Sequence, residues 1–287
     1  MRHSAAAVLV IACAACMVIA ADEPKVKPKA RTQGDLGYRD TPLLPGQTWK
    51  VHDVDRPHPP VVTPGSFSAP ERAAQPSSDA VSLFDGRDLS RWTWGRRTRS
   101  AGAVPRGWRI QNGVLEVTGP GESLATKENF GDIQLHVEWS APVNNDRVGQ
   151  WRSNSGIILM GRYEVQVLDS YDSATYPDGM AAALYGQWPP MVNALRPPGQ
   201  WNVYDIIFEA PKFESGKMIK PAYATVLVNG VVAHHHREFI GQMAHRIYKP
   251  YEPHGPEAPL VIQNHDVPVR FRGIWVRRLA GDDKAPQ

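Results

Sequence analysis

From Asp79 onward the chain runs in short stretches that alternate apolar and polar residues with a period of two, separated by Gly, Asn and Pro. That is the pattern of half-buried strands joined by turns. In "GWRIQNGVLEVTG", Trp108 and Ile110 lead into Asn112-Gly113, a pair suited to a two-residue hairpin turn, and Leu115 and Val117 lead out. "IQLHVEWSAP" sets Ile133, Leu135, Val137 and Trp139 against Gln134, His136 and Glu138. "VYDIIFEAP", "YATVLVNGVVAHH" with an Asn229-Gly230 turn, and "LVIQNHDVPVRFRGIWVRRL" continue the series. Helical periodicity is nearly absent, with "DGMAAALYGQ" predicting one short turn, and no solenoid or propeller period stands out. The prediction is an all-β fold: a β-sandwich of two antiparallel sheets, of jelly-roll type. Trp108, Trp139 and Trp275 alternate with polar neighbours and are assigned to its interior.

One predicted strand carries more polarity than a buried strand needs. In "YEVQVLD", alternate side chains share a face, so Tyr163, Val165, Val167 and Asp169 fall on one side and Glu164, Gln166 and Leu168 on the other. The valine side is core. Glu164 and Gln166 then face either bulk water or a groove; the preceding "SNSGIILM", which resembles a buried central strand, favours the groove.

Ahead of the alternating region the composition changes. Basic Arg2, an apolar run from Ala5 to Ile19 and small Ala20 and Ala21 have the layout of a cleavable secretory signal over residues 1–21. The run is short of the roughly 20 apolar residues a membrane span needs, so no span is expected after cleavage. Lipidation at Cys13 would leave a very short apolar segment, and a lipid anchor is not expected. The expected location is therefore secreted or periplasmic. Both cysteines, Cys13 and Cys16, lie in this segment, so the mature domain must be held by its core rather than by disulfides. Residues 22–78 form a proline-rich, charged arm whose later part, with Tyr38, Leu43, Leu44, Trp49 and Val51, is expected to lie ordered across the domain. The domain itself is placed at 79–281, with a tail at 282–287. A net charge of +3 with scattered basic residues argues against a nucleic-acid partner.

Other polar groups gather late in the chain. Gln263 and His265 share strand parity at the end of an apolar run, whereas Asp266, adjacent to His265, points the other way, so sequence proximity makes no His–Asp dyad. In "AHHHREF", His234 and His236 share a face if the strand continues, and they give, with Asp169, weak candidates for a metal edge; a polar strand end is the plainer account. His245 and His254 fall in loops. Nine tryptophans, together with Tyr185, Trp201 and Asn202, suit a saccharide partner, because sugar faces stack on aromatic rings while amides and carboxylates take the hydroxyls. There is no Gly-rich phosphate loop, zincin helix or nucleophile elbow.

Together these segments resemble the 3-keto-disaccharide hydrolases, also described as 3-keto-glucoside lyase and 2-hydroxyglucal hydratase domains. The resemblance runs in order from "SLFDGRDLSRW" through "SNSGIIL", "YEVQVLDS", "PPGQWNVYDIIFEAP" and "VLVNGVVAH" to "LVIQNHDVPVRFRGIWVRRL". It implies a concanavalin A-like jelly roll binding a glycoside or oligosaccharide across one sheet. It also implies Glu164 or His265 as the proton-transfer residue, with Asn154, Gln166, Tyr185, Trp201, Asn202, Gln263 and Arg272 ordering the substrate. Gly273 stands where the family often has Asn, and Asp266 where Gly is usual; "HHHREF" and the loop from Gly241 to Pro259 are not general family features. The implied chemistry is removal of the C2 proton beside a 3-keto group, elimination of the aglycone and hydration. No motif calls for a cofactor, although a divalent metal on the sugar oxygens would stabilise the enolate directly. A laminarinase-type glycosidase would need a strand E-x-D-x-x-E, which Gln166 and Asp169 do not match, and a non-catalytic carbohydrate-binding module would use the same groove.

Overall fold

The computed structural model describes residues 37–94, 104–143 and 146–279, so the expected signal segment at 1–21 and tail at 282–287 lie outside the described residues. The chain divides into two units, one ending at His58 and the other starting at Pro59. In the first, Tyr38 bridges Asp53, Leu43 bridges Lys50, and Arg39 pairs with Asp55 at 2.6 Å. Residues 59–78, assigned above to the arm, belong to the second unit along with the strands.

The second unit is a nearly all-β jelly-roll sandwich. Its strands, numbered along the chain, are β1 (Val81–Phe84), β2 (Trp92–Thr93), β3 (Trp108–Gln111), β4 (Val114–Val117), β5 (Leu124–Phe130), β6 (Ile133–Ser140), β7 (Ser155–Leu159), β8 (Tyr163–Val167), β9 (Asn202–Glu209), β10 (Lys212–Glu214), β11 (Lys217–Lys220), β12 (Tyr223–Val228), β13 (Val231–Glu238), β14 (Ala258–Ile262) and β15 (Arg270–Arg278). The larger sheet runs β13-β12-β9-β6-β15-β4-β3, with β1 paired to the far half of β15; the smaller runs β2-β5-β14-β7-β8. All the pairings are antiparallel, and β10 and β11 form a separate ribbon. Asn112 and Gly113 both take positive φ, as the tight β3–β4 hairpin requires.

The core lies between the sheets. Leu135, Val137 and Trp139 of β6 and Tyr204, Ile206 and Phe208 of β9 meet Ile157, Leu159, Tyr163, Val165 and Val167 of β7 and β8. Each fully buried large side chain contributes about 1.5–3 kcal/mol, which lets a domain without disulfides hold together. The Tyr204 hydroxyl donates to the Gln166 carbonyl at 3.1 Å and ties one sheet to the other. Among the described residues, no helix is long and apolar enough to cross a membrane.

Trp108 and Trp139 are interior, as expected, but Trp275 is not. It lies on the outer face of the larger sheet, stacked on His136 with ring centroids 4.9 Å apart, while Ile274 and Val276 point inward. The cause is a bulge between Arg272 and Trp275, where Gly273 takes a φ of +54°. One extra residue inverts the parity of everything after it.

Candidate active site

The outer face of the smaller sheet is floored by the polar pair of β8. In the β7–β8 register Ile158 opposes Glu164 and Gly156 opposes Gln166, so all four share that face. A Cβ at residue 156 would collide with the Glu164 carboxylate, so the glycine of "NSG" supplies the room that this carboxylate occupies. Glu164 is only 5% exposed, and among the described residues nothing hydrogen-bonds its carboxyl. Burial without a compensating partner disfavours its charge and pushes its pKa up to about 8.

Around this floor lies a cleft of about 540 Å³, lined among others by Asn154, Glu164, Gln166, Tyr185, Gln263 and His265. Six of the nine residues proposed from sequence as catalytic or substrate-binding thus converge. Their placement rests on local bonds. Gln150, at the short turn Gly149–Trp151, accepts from Asn154 Nδ2 at 3.2 Å and Gln166 Nε2 at 3.1 Å, and donates to Thr175 and the Gly179 carbonyl. Gln166 Oε1 is buried with no partner among the described residues. The Ser155 hydroxyl donates to the Gln263 carbonyl at 2.7 Å and Gln263 N–H donates to the Gly156 carbonyl, so the chain beyond β14 is laced to β7 and brings His265 to the cleft. His265 is half-buried, edge-on to Trp151 at 6.0 Å.

The far wall comes from two loops. Residues 182–185 run along β8: Gln166 N–H donates to Ala183, Ala182 N–H to Gln166, and Tyr185 N–H to the Glu164 carbonyl. That backbone bond sets Tyr185 beside the carboxylate strand. The Tyr185 hydroxyl lies 3.2 Å from that of Tyr176 and 2.9 Å from His245 Nδ1. The His245 loop is anchored where Met243 N–H donates to the Arg162 carbonyl, and Met243, Ala244 and His245 all line the cleft.

Trp201, Asn202 and Arg272 are elsewhere, which corrects their assignment to the groove. All three belong to the larger sheet or its lead-in. Asn202 Oδ1 accepts from Arg196 N–H and Asn229 Nδ2, a turn-holding role. The Arg272 guanidinium lies 4.2 Å from the Trp201 ring, pairs with Glu138 at 2.7 Å and donates to the carbonyls of Ala69 and Pro70. Glu138 also accepts from Ser68 and from Ala74 N–H at 2.6 Å. This cluster clasps segment 68–74 onto the outer face of the larger sheet.

The weak metal candidates do not assemble either. Asp169 is buried against Arg152, whose Nη2 lies 2.7 Å away. His234 is buried and bonded to the Ala182 carbonyl, and burial lowers its pKa to about 4. His236 is exposed, stacked on Tyr223 and close to Glu209, because β12–β13 register shifts break the strand parity that would have aligned the two rings. Glu164, His245 and His265 all line the cleft, yet among the described residues no three His, Cys, Asp or Glu side chains converge as a metal-holding group. The described residues do not fit a resident divalent ion.

Sequence reasoning missed Gln150 and Tyr176 and gave His245 little weight. Gln150 stands in a short turn and the other two in loops, where no periodicity reports facing; the one available signal is their nearness to the motifs "SNSG" and "ALYG".

Comparison with known proteins agrees with this architecture. Residues 79–277 match the family described as the 3-keto-alpha-glucoside-1,2-lyase-like domain. No curated protein matches the chain. A crystal structure of a candidate glycosyl hydrolase from Parabacteroides distasonis is similar at 37% identity and a TM-score of 0.71, covering 83% of this chain and 100% of that one. Another from the same organism, at 19% identity and a TM-score of 0.50, covers 70% of this chain and 99% of that one and shares the fold. With the match spanning the whole sandwich, β1 through most of β15, the chain belongs to the 3-keto-alpha-glucoside-1,2-lyase-like family.

Proposed function

We propose that this carbohydrate-active domain cleaves 3-keto-glycosides, with Glu164 removing the proton at C2. The observation that carries the reading is the buried, unpartnered Glu164 carboxyl on the floor of a cleft walled by amides and tyrosines. A ketone at C3 acidifies the C2 hydrogen, and a carboxylate with a pKa of about 8 is a stronger base than an ordinary glutamate. Gln263 and His265, half-buried on the wall, are available to donate to the sugar oxygens, including the one that becomes an enolate. Loss of the C1 substituent gives an enone, and water adding at C1 completes a net hydrolysis. The layout of residues 1–21 makes this an exported enzyme in the same proposal.

A retaining glycosidase of the ordinary kind uses two carboxylates about 5–5.5 Å apart. Among the described residues, Glu164 is the one carboxylate lining the cleft, which favours elimination. The test is incubation of the purified protein with a 3-keto-glucoside and with its unoxidised parent, followed by chromatography of the products. Cleavage of the keto compound alone is expected. Cleavage of the parent would make the protein a conventional glycosidase, and binding of either without turnover would make it a binding module.

A further inference from the structure

The elimination needs a second proton transfer, since the departing alkoxide must be protonated, and the cleft contains a group placed for it. Tyr185 projects from the segment bonded directly to the Glu164 backbone, and its hydroxyl meets both Tyr176 and His245 Nδ1. Tyr176, Tyr185, Ala244 and His245 also wall a second cavity of about 540 Å³, whose other lining includes Ile240, Ile247 and Tyr248. These four residues therefore border both the cavity that holds Glu164 and an adjoining one that does not.

We propose, on the reading that the cleft cleaves 3-keto-glycosides, that Tyr185 is the acid that protonates the departing oxygen and that the second cavity receives the departing group. His245 acts as a positioning residue. With a hydrogen on Nδ1 it donates to the Tyr185 oxygen, which leaves the phenol's own hydrogen free for the substrate.

The proton count closes. Glu164 takes the C2 hydrogen, the C1–O bond breaks with its electron pair going to the aglycone oxygen, and that oxygen takes the Tyr185 proton. The phenolate is held by His245 and Tyr176 until water adds at C1 and returns a proton to it. Glu164 then gives its proton back to C2. Burial raises the Tyr185 pKa, and hydrogen bonding to Tyr176 and the charge on Glu164 raise it further. Once Glu164 has accepted the C2 proton it is neutral, so of the two carboxylates that oppose phenolate formation, Glu164 and Asp178, only Asp178 still carries its charge when the phenolate forms. The base and acid steps are coupled by their own electrostatics.

The experiment compares 3-keto-glucosides carrying a nitrophenol, which leaves without help, with those carrying an alkyl alcohol, which does not. Tyr185→Phe is expected to lower kcat/KM for the alkyl substrate by about 10²–10³-fold and for the nitrophenyl substrate by less than about tenfold. His245→Ala, on an exposed loop that threatens no core, should show the same split at about tenfold on the alkyl substrate. Equal losses on both substrates in both variants would overturn the acid assignment while leaving the proposed activity intact. Absence of keto-selective cleavage by the unmodified protein would instead remove the proposed activity. Ile247→Trp, which narrows the second cavity, should raise KM for a 3-keto-disaccharide but not for the methyl glycoside; an equal KM change would place the departing group elsewhere.

Discussion

Glu164 on β8 and Glu138 on β6 are both buried carboxylates on the outer faces of opposite sheets, and their surroundings differ in almost every respect. Glu138 is met by four groups: Arg272, Ser68, Ala74 N–H and, at 3.5 Å, His136. Burial alone would raise its pKa, but these bonds outweigh burial and hold it below the usual carboxylate value. Glu164 has burial and nothing to offset it, and its pKa rises to about 8. Glu138 therefore stabilises the fold by staying charged, while Glu164 costs stability whenever it is charged. A partnered buried carboxylate serves the fold; an unpartnered one facing a cleft is a candidate for chemistry.

The largest expected effect separates the two by activity. Glu164→Gln should reduce kcat/KM on a 3-keto-glucoside by about 10³-fold, measured by product release, with the melting temperature unchanged or higher. Glu138→Gln should do the opposite. It leaves the Arg272 guanidinium buried without its counter-charge and should cost about 3 kcal/mol in denaturant unfolding, while the folded fraction keeps its activity. Loss of activity in the folded Glu138 variant would break the division between faces.

The next effect is in pH dependence, and the signs are opposite. Glu164 has its folded pKa raised above the ordinary 4.5, so the stability tied to its neutral form is complete below 4.5 and is lost as pH climbs through about 8. Glu138, lowered, contributes stability above its ordinary value that is lost as pH falls through its folded value. His136, between Asp205 and Glu138, has burial outweighed by those two carboxylates; its raised pKa adds stability below its ordinary 6.5 that is lost as pH rises through the folded value. Thermal melts at pH 9 should show Glu164→Gln more stable than the unmodified protein, with the gap closing toward pH 4. The kcat/KM profile should rise with an apparent pKa near 8, and a limb near 4.5 would mean that Glu164 has partners in solution.

Much of this contrast was legible in the sequence. Period-two alternation located the strands, and on β8 it correctly put Glu164 and Gln166 on a face of their own. It also put Gln134, His136 and Glu138 opposite the core of β6, but it could not say that segment 68–74 would cover them, since that contact joins residues about 70 apart. The family resemblance implies a groove role for Arg272 alongside Gln263 and His265, but a motif does not report on which sheet its residues lie. In space the chain leaves the smaller sheet after β14 and enters the larger one at β15. Facing in loops and short turns carries no periodic signal, which is why the sequence does not single out Gln150 or Tyr176 and gives His245 little weight.

The smallest effect probes how the structural face is kept in register. Gly273 takes a φ of +54° at the β15 bulge, and a Cβ there would come within 3.0 Å of the Ala73 Cβ and 3.2 Å of Glu138 Oε1. Gly273→Ala thus meets a left-handed backbone penalty and a tight contact on the carboxylate that clasps the arm, together about 1–2 kcal/mol. Since Glu138 and Ala73 both lie on the larger sheet's side, the loss should appear in unfolding midpoint and in faster hydrogen exchange at Ala74 N–H, whose acceptor is Glu138. Exchange at Gln166 N–H, bonded to Ala183 beneath the cleft, should stay as in the unmodified protein. Matched changes at both amides would mean that the bulge couples the two faces through the core, and that the division between a structural and a chemical carboxylate is less complete than their partners suggest.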